Sequence, residues 1–382
     1  MKFFHTADWH LGKLVQGVYM TDDQRYILEQ MVEAIDKEQP DAVLIAGDLY
    51  DRSVPPIEAV ELFNKVLVQI VMDKKIPVLA ISGNHDSSNR VHFGSDIMKE
   101  NQLFITGELS LPIEPVMLED EFGSVHFYLI PFSEPQKIRH IFEDDSIKTH
   151  DDAMKAIVHH INEQRKPGVR SVIVSHAFVT PYGEEEKNTS TSERPLAIGG
   201  SEYVQAKHFE SFHYTALGHL HRAHFVKQES IRYSGSPLKY SISEEKHEKG
   251  YYIVEMDAEG SVKVEKHPLI AKRDIRTVTG TLDDILTHEK NEDYVFVKLL
   301  DENPVLYPME KIRTVYPNAM HVERIISFAK NDEITASEMK RSDMDTLSLF
   351  RSFYKEMKGI ELEKEKEQLF KEVVDEILRE EQ

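Results

Sequence analysis

Three short apolar runs, 2–7, 42–46 and 76–81, each lead directly into a loop of acids, amides or histidines, and an amphipathic stretch separates each run from the next. Buried strands joined by helical crossovers make a parallel sheet, and right-handed crossovers bring consecutive strand ends to one edge. Ligands gather at that edge in open α/β sheets. The loops delivered there are Asp8-Trp9-His10, Gly47-Asp48-Leu49-Tyr50-Asp51-Arg52 and Gly83-Asn84-His85-Asp86.

The connecting stretches read as helices. Thr21 and Asp22 form an N-cap region, with Ile27, Met31, Val32 and Ile35 on one face before Pro40; after Pro55-Pro56 come Val60, Phe63, Leu67 and Ile70 at helical spacing. Asp8 and His10 are two apart, so on an extended stretch they share a side. Gly83 permits a sharp turn that crowds an amide, an imidazole and a carboxylate together. Alone, that loop reads equally well as an ordinary polar turn, and the rest of the chain has to decide.

Further along, 114–132 suggests antiparallel strands, 151–165 an amphipathic helix, and 169–174 a buried strand ending in Ser175-His176-Ala177. The polar, acidic stretch 182–200 reads as a mobile loop beside the site. Residues 214–217 lead into Gly218-His219-Leu220-His221, and strands are expected at 251–256 and 262–267. A first domain, 1–269, accounts for all of this.

The segment 270–330 reads as strand, helix, strand, helix, strand without a catalytic cluster, an α+β accessory domain. The region 331–382 is charged and helical. Ser342 and Asp345 cap a stripe of Met344, Leu347, Leu349 or Phe350, Phe353 and Tyr354, and a second stripe holds Leu362, Leu369, Phe370, Val373, Ile377 and Leu378. A terminal amphipathic hairpin fits a partner's groove better than the protein's own core.

With no cysteine among 382 residues, metal must be held by His, Asp, Glu or Asn. The acidic Asp8 interrupts any signal-peptide apolar region, and no run approaches membrane-spanning length, so a soluble, cytoplasmic protein is expected. A formal charge of −21, from 46 basic and 67 acidic residues, opposes non-specific attraction to nucleic acid unless metal or a basic partner supplies positive charge.

Asp8, His10, Asp48, Asn84, His176, His219 and His221 all fall at expected strand ends. Seven such ligands exceed what one ion needs, and this mixture suits two divalent ions, favouring manganese over zinc, iron or magnesium. Two ions about 3.5–4 Å apart need a bridge, and Asp48 is the best placed carboxylate. His85 need not bind metal and can stabilise or protonate at phosphorus, with Asp86 or Asp51 orienting its ring. The remaining members of the 19 histidines lack such a context.

Asp8-x-His10, Gly47-Asp48-x-x-Asp51, Gly83-Asn84-His85-Asp86, Ser175-His176-Ala177 and Gly218-His219-x-His221, in this order, resemble the calcineurin-like metallophosphoesterases. His5-Thr6-Ala7-Asp8-Trp9-His10-Leu11-Gly12 and Gly47 to Arg52 narrow the resemblance to the SbcD family, as do the accessory domain and terminal helices. The resemblance implies a four-layer sandwich of two mixed β-sheets flanked by helices, with a small α+β capping domain and C-terminal helices. It also implies a manganese-dependent DNA nuclease, cutting duplex ends 3′ to 5′ and opening hairpins or single strands. Further implications are a homodimer formed through helices of the phosphoesterase domain and an SbcC-type coiled-coil ATPase bound by the C-terminal helices. Carried over by position, one metal takes Asp8, His10, Asp48 and His221, the other Asp48, Asn84, His176 and His219, with His85 catalytic. Asp51 stands where some relatives have a second histidine, so that role is not carried over. The competing readings are a phosphatase or small-molecule phosphodiesterase on the same scaffold, and a non-catalytic DNA-end scaffold.

Overall fold

In a computed structural model, residues 1–182, 190–193, 202–325, 346–358 and 360–380 are described. The chain divides into two units, one of 1–277 with 292–296, the other of 278–291 with 297–382.

The three apolar runs become the adjacent parallel strands Lys2–Thr6, Ala42–Ala46 and Val78–Ile81, and Leu103–Thr106 extends them. On the other side Gly250–Met256 pairs antiparallel with Lys2–Thr6, and Val262–Pro268 completes six strands. A second six-stranded sheet runs in the order His224–Val226, Gln228–Tyr233, Tyr214–Gly218, Arg170–His176, Gly123–Ile130, Val116–Asp120. Its four central strands are parallel to one another, and the two at the edges are antiparallel. The antiparallel strands expected within 114–132 are Val116–Asp120 and Gly123–Ile130.

Side chains alternate across each strand, so each sheet has an inner and an outer face. Phe3, Leu44, Leu79 and Ile81 of the first sheet share one buried cluster with Phe127, Leu129, Val172, Val174, Tyr214 and Ala216 of the second, so the sheets pack face to face. Outside the second sheet, Ile157, Val158 and Ile161 of helix His150–Gln164 join Tyr128, Ile173, Leu217 and Ile231. Thr149 caps that helix with a reciprocal capping box to Asp152, one residue earlier than the sequence pattern places its start. The crossover helices of the first sheet, Thr21–Glu38 and Ile57–Leu67, bury Ile27, Leu28, Met31 and Ile35, and Leu62, Phe63 and Val66. Helix, sheet, sheet and helix are thus the layers. No side-chain cap forms at the start of Thr21–Glu38, where Met20 rather than Thr21 or Asp22 is the capping residue.

The strand Ile275–Gly280 is followed by helix Leu282–Leu286, strand Tyr294–Leu299, helix Pro308–Ile312 and strand His321–Arg324; the three strands form one sheet, and the first two begin in the first unit and run into the second. Two terminal helices, Thr346–Lys358 and Lys364–Glu380, pair with each other through Phe350 and Phe370, whose rings stack at 3.9 Å. Ser342, Met344 and Asp345 lie outside the described residues, as do the side chains of Ile377 and Leu378 and most of the stretch 182–200. No described helix is long and apolar enough to cross a membrane.

Candidate metal centre

Every expected strand end arrives at one place, and adjacent loops are stitched together there by main-chain bonds. Asp8, His10 and Leu11 donate their amides to the carbonyls of Gly47, Asp48 and Leu49 at 3.0, 2.9 and 3.0 Å. Asp8 and His10 are not on an extended stretch: their φ values are 55° and 45°, and Asp48 and His219 are also left-handed at 49° and 106°. Non-glycine residues rarely adopt that conformation and persist in it where the surroundings over-determine them, as at functional sites.

The glycines permit close approach rather than merely a turn. Gly83 does not have a positive φ, but a Cβ there would collide with the carboxylate and amide of Asp48, and one on Gly218 would collide with the carbonyl of Ala46. Only glycine lets these strand ends draw so near to one another.

All seven expected ligands and His85 fall within this one cluster. His10 and His221 turn their Nε2 atoms to each other at 3.0 Å. Opposite them, Asn84 Oδ1 lies 2.9 Å from His176 Nε2 and 3.3 Å from His219 Nδ1. Asp48 stands between, with Oδ2 3.5 Å from both His10 Nε2 and His176 Nε2. Its Oδ1 accepts the His85 amide at 2.9 Å, which leaves Oδ2 to face both groups. Asp8 lies beside His176, Oδ1 to Nδ1 3.8 Å, and Asp8 Oδ2 is buried with no hydrogen-bond partner.

Among the described residues two triads can hold an ion by proximity, Asp8, Asp48 and His176, and His10, Asp51 and His85. This grouping differs from the one carried over by position, which pairs Asp8 with His10 and His221 and leaves Asp51 out. Two unshared lone pairs 3.0 Å apart repel each other, so the facing imidazoles of His10 and His221 need either a shared proton or a cation between them.

The electrostatics fit divalent cations. Burial, and then the charge of Asp48, pushes the Asp8 carboxyl well above the usual range, against the His219 amide that pulls it down. Burial first, then neighbouring imidazoles, holds His10 and His219 well below the usual histidine range, and burial lowers His176 against the pull of Asp48. Neutral imidazoles and crowded carboxylates are the donors a cation needs, and an orphaned carboxylate oxygen marks a missing partner.

The ring of His85 is oriented by Asp51, through the backbone rather than the carboxylate: Nδ1 lies 2.9 Å from the Asp51 carbonyl and 3.9 Å from Oδ1. Nδ1–H donating there directs Nε2 towards Asp48 Oδ2, 4.0 Å away. Asp86 accepts the amides of Gly83, Leu49 and Tyr50 at 2.8, 3.0 and 2.9 Å and so binds the Asp48 loop to the Asn84 loop.

Several neighbours carry no motif. Gln24 donates to the carbonyls of Trp9 and His10 at 3.1 and 2.7 Å, holding the first loop from the crossover helix. Glu193 Oε1 accepts the His221 amide at 2.7 Å, and Ser192 Oγ lies 2.9 Å from His221 Nδ1. A carboxylate and a hydroxyl around a histidine at a strand end would have flagged them, but they lie 28 and 29 residues from it in sequence.

A family model described as calcineurin-like phosphoesterase matches residues 1–223, and one described as type 5 capsule protein repressor C-terminal domain, SbcD_C, matches 271–358. The chain is similar to the crystal structure of a dimetal phosphatase from Danio rerio, 12% identical, covering 71% of this chain and 97% of that one with a TM-score of 0.40. It is also similar to the crystal structure of a Thermus thermophilus protein, 10% identical, covering 70% and 98% with a TM-score of 0.40. The chain belongs to the calcineurin-like phosphoesterase family, and its phosphoesterase domain followed by an SbcD_C domain matches the SbcD family within it.

Proposed function

We propose that this chain is a DNA nuclease, a 3′–5′ double-strand exonuclease and single-strand or hairpin endonuclease, acting on DNA ends with an SbcC-type ATPase in repair and recombination. The observation that carries the reading is the union, in one chain, of a His/Asp cluster centred on Asp48 with an SbcD_C domain at 271–358.

Asp8, His10, Asp48 and His221 would hold one divalent ion and Asp48, Asn84, His176 and His219 the other, with manganese favoured by the mixed oxygen and imidazole set. When bound, such a pair grips a phosphodiester and lowers the pKa of an attacking water. The chain's own contribution is positional. Asp48 is fixed by the His85 amide with one oxygen turned to both ligand groups. His85, its Nδ1 anchored on the Asp51 carbonyl, presents Nε2 to stabilise the phosphorus centre or to protonate the leaving oxygen.

The proposed domains are 1–269 for catalysis, 270–330 as the accessory domain and 331–382 for the partner. The exposed apolar side chains of Ile57, Phe93 and Ile97, at 73, 82 and 76%, would be available to a homodimer, and hence to a heterotetramer with the ATPase. Val60 is also exposed, at 43%, whereas Phe63 and Leu67 are core. In the terminal hairpin Leu349, Phe353, Leu369 and Val373 remain exposed after Phe350 and Phe370 have paired, which suits a coiled-coil partner.

The test gives purified protein manganese and either a labelled DNA hairpin or a phosphoprotein, with His85→Ala as control. Hairpin opening lost in the variant is expected. Preference for the phosphoprotein would refute the nuclease reading, and metal-loaded protein inert to both would favour a non-catalytic scaffold.

A further inference from the structure

Among the candidate ligands, His221 is held at three points by charged groups that no motif contains. Its ring Nδ1 lies 3.1 Å from Glu244 Oε1, its amide donates to Glu193 at 2.7 Å, and its carbonyl accepts from Lys249 Nζ at 2.9 Å. Lys249 is also paired with Glu244 Oε2 and donates to Ser236 Oγ at 2.8 Å. Both charges are inside the protein, Glu244 at 0% and Lys249 at 8% exposure. Ser192 Oγ donates to the same Glu244 oxygen that faces His221.

A buried carboxylate is costly, and a buried ion pair seldom stabilises a fold more than well-packed apolar residues would. This pair therefore calls for another use. An ionised carboxylate only accepts hydrogen bonds, so the proton between Glu244 and His221 must sit on Nδ1. That leaves the lone pair on Nε2, the atom facing His10 Nε2 at 3.0 Å. Two other rings of the site are placed differently: His176 Nδ1 lies 2.9 Å from the Ala46 carbonyl and 3.8 Å from Asp8 Oδ1, and His10 Nδ1 lies 3.8 Å from Asp51 Oδ1, beyond hydrogen-bond distance.

We infer that Glu244 is a positioning residue that fixes His221 in the Nδ1–H tautomer, with Nε2 left to ligate, and that Lys249 balances the Glu244 charge while pinning the His221 backbone. The pair tunes one metal position, the one served by His10 and His221, and not the one served by Asn84, His176 and His219. This inference rests on the two-metal reading. A carboxylate behind a ligand histidine raises its basicity, and losing such a partner typically lowers metal affinity about 10–100-fold.

The experiment uses the full chain in two variants, Glu244→Gln and the charge-free Glu244→Leu with Lys249→Met. In metal-free protein with 15N-labelled histidine, long-range proton–nitrogen spectra report the His221 tautomer, assigned with His221→Gln. The wild type is expected to show Nδ1–H, and the double variant a mixture. In manganese titrations the double variant should keep one ion at wild-type affinity and bind the other about 10–100-fold more weakly, with Glu244→Gln between the two. If the double variant does not fold, Glu244→Gln carries the test. An unchanged tautomer, or two ions bound at wild-type affinity, would overturn the inference. A wild type that binds no manganese would instead refute the metal centre, while the tautomer would still test the role of Glu244.

Discussion

Asp86 offers the most direct test of how the site is held, because its carboxylate joins two ligand loops without facing the ligand cluster. Oδ2 accepts from Gly83 and Leu49 and Oδ1 from Tyr50. In Asp86→Asn one oxygen becomes an NH2 donor. The surviving oxygen turns to the side where the Gly83 and Leu49 amides converge, which leaves the NH2 group facing the Tyr50 amide. A hydrogen bond to a charged group contributes about 1.5–3 kcal/mol, so the lost bond costs about that much. At about 2–4 °C per kcal/mol for a domain of this size, the melting temperature should fall by at least about 3 °C. Burial, and then the charge of Asp48, pushes the Asp86 carboxyl up to about 7 against the three amides, so the comparison belongs at about pH 8, where the wild-type group is ionised. Calorimetry in chelator supplies the melting temperature, and a manganese titration should show affinity lowered tenfold or more as the Asp48 and Asn84 loops loosen. Melting within about 1 °C of wild type, with unchanged manganese binding, would refute the clamp.

His85→Ala is expected to retain manganese in a direct binding assay while cleavage falls about 10²–10⁴-fold, whereas Asp48→Ala should lose metal from both positions; full activity in the first variant would remove His85 from the chemistry. His5 is buried, and burial first, then Arg232, holds it down to about 3. Because the unfolded chain takes up a proton near 6.5 and the folded one does not, this contribution is fully present above pH 6.5 and lost as pH falls towards 3. Denaturant unfolding of metal-free protein should therefore lose about 1.4 kcal/mol more per pH unit below 6 in wild type than in His5→Gln, and equal slopes would contradict this. Phe353→Asp with Val373→Asp should abolish capture of an SbcC-type coiled coil in a pull-down while leaving hairpin cleavage by the isolated chain unchanged; retained capture would place the partner elsewhere.

The parallel strands were legible because 42–46 and 78–81 are unbroken apolar runs, buried on both faces, which only a covered sheet accommodates. Ligand types were legible for a related reason: histidine and acid directly after such a run have no packing role to play. What escaped notice was long-range or conformational. No local pattern tells that Lys2–Thr6 pairs with Gly250–Met256, since the pairing spans most of the domain. The left-handed turns at Asp8, His10 and Asp48 violate residue preference, and so a reading by preference made the first of them extended. Asp86 stands in the same four-residue motif as His85, yet it points to three backbone amides, and adjacency could not tell those uses apart. Glu244 and Lys249 belong to a charged stretch, 241–249, that reads as solvated surface until the fold buries it.

The ligand loops are drawn from positions 8 to 221 and meet only where two sheets end. No shorter fragment carries the whole set, so a chain still emerging during synthesis would not complete the site before both sheets have docked. Ion binding at such a site would act as a check on completed folding. A divalent ion held there would also stabilise the phosphoesterase unit by RT ln(1 + [M]/Kd) per site, about 2.7 kcal/mol at a hundredfold excess over Kd, so its melting temperature would rise with free metal. Where divalent metal is scarce, the same arrangement would leave this unit short of stability.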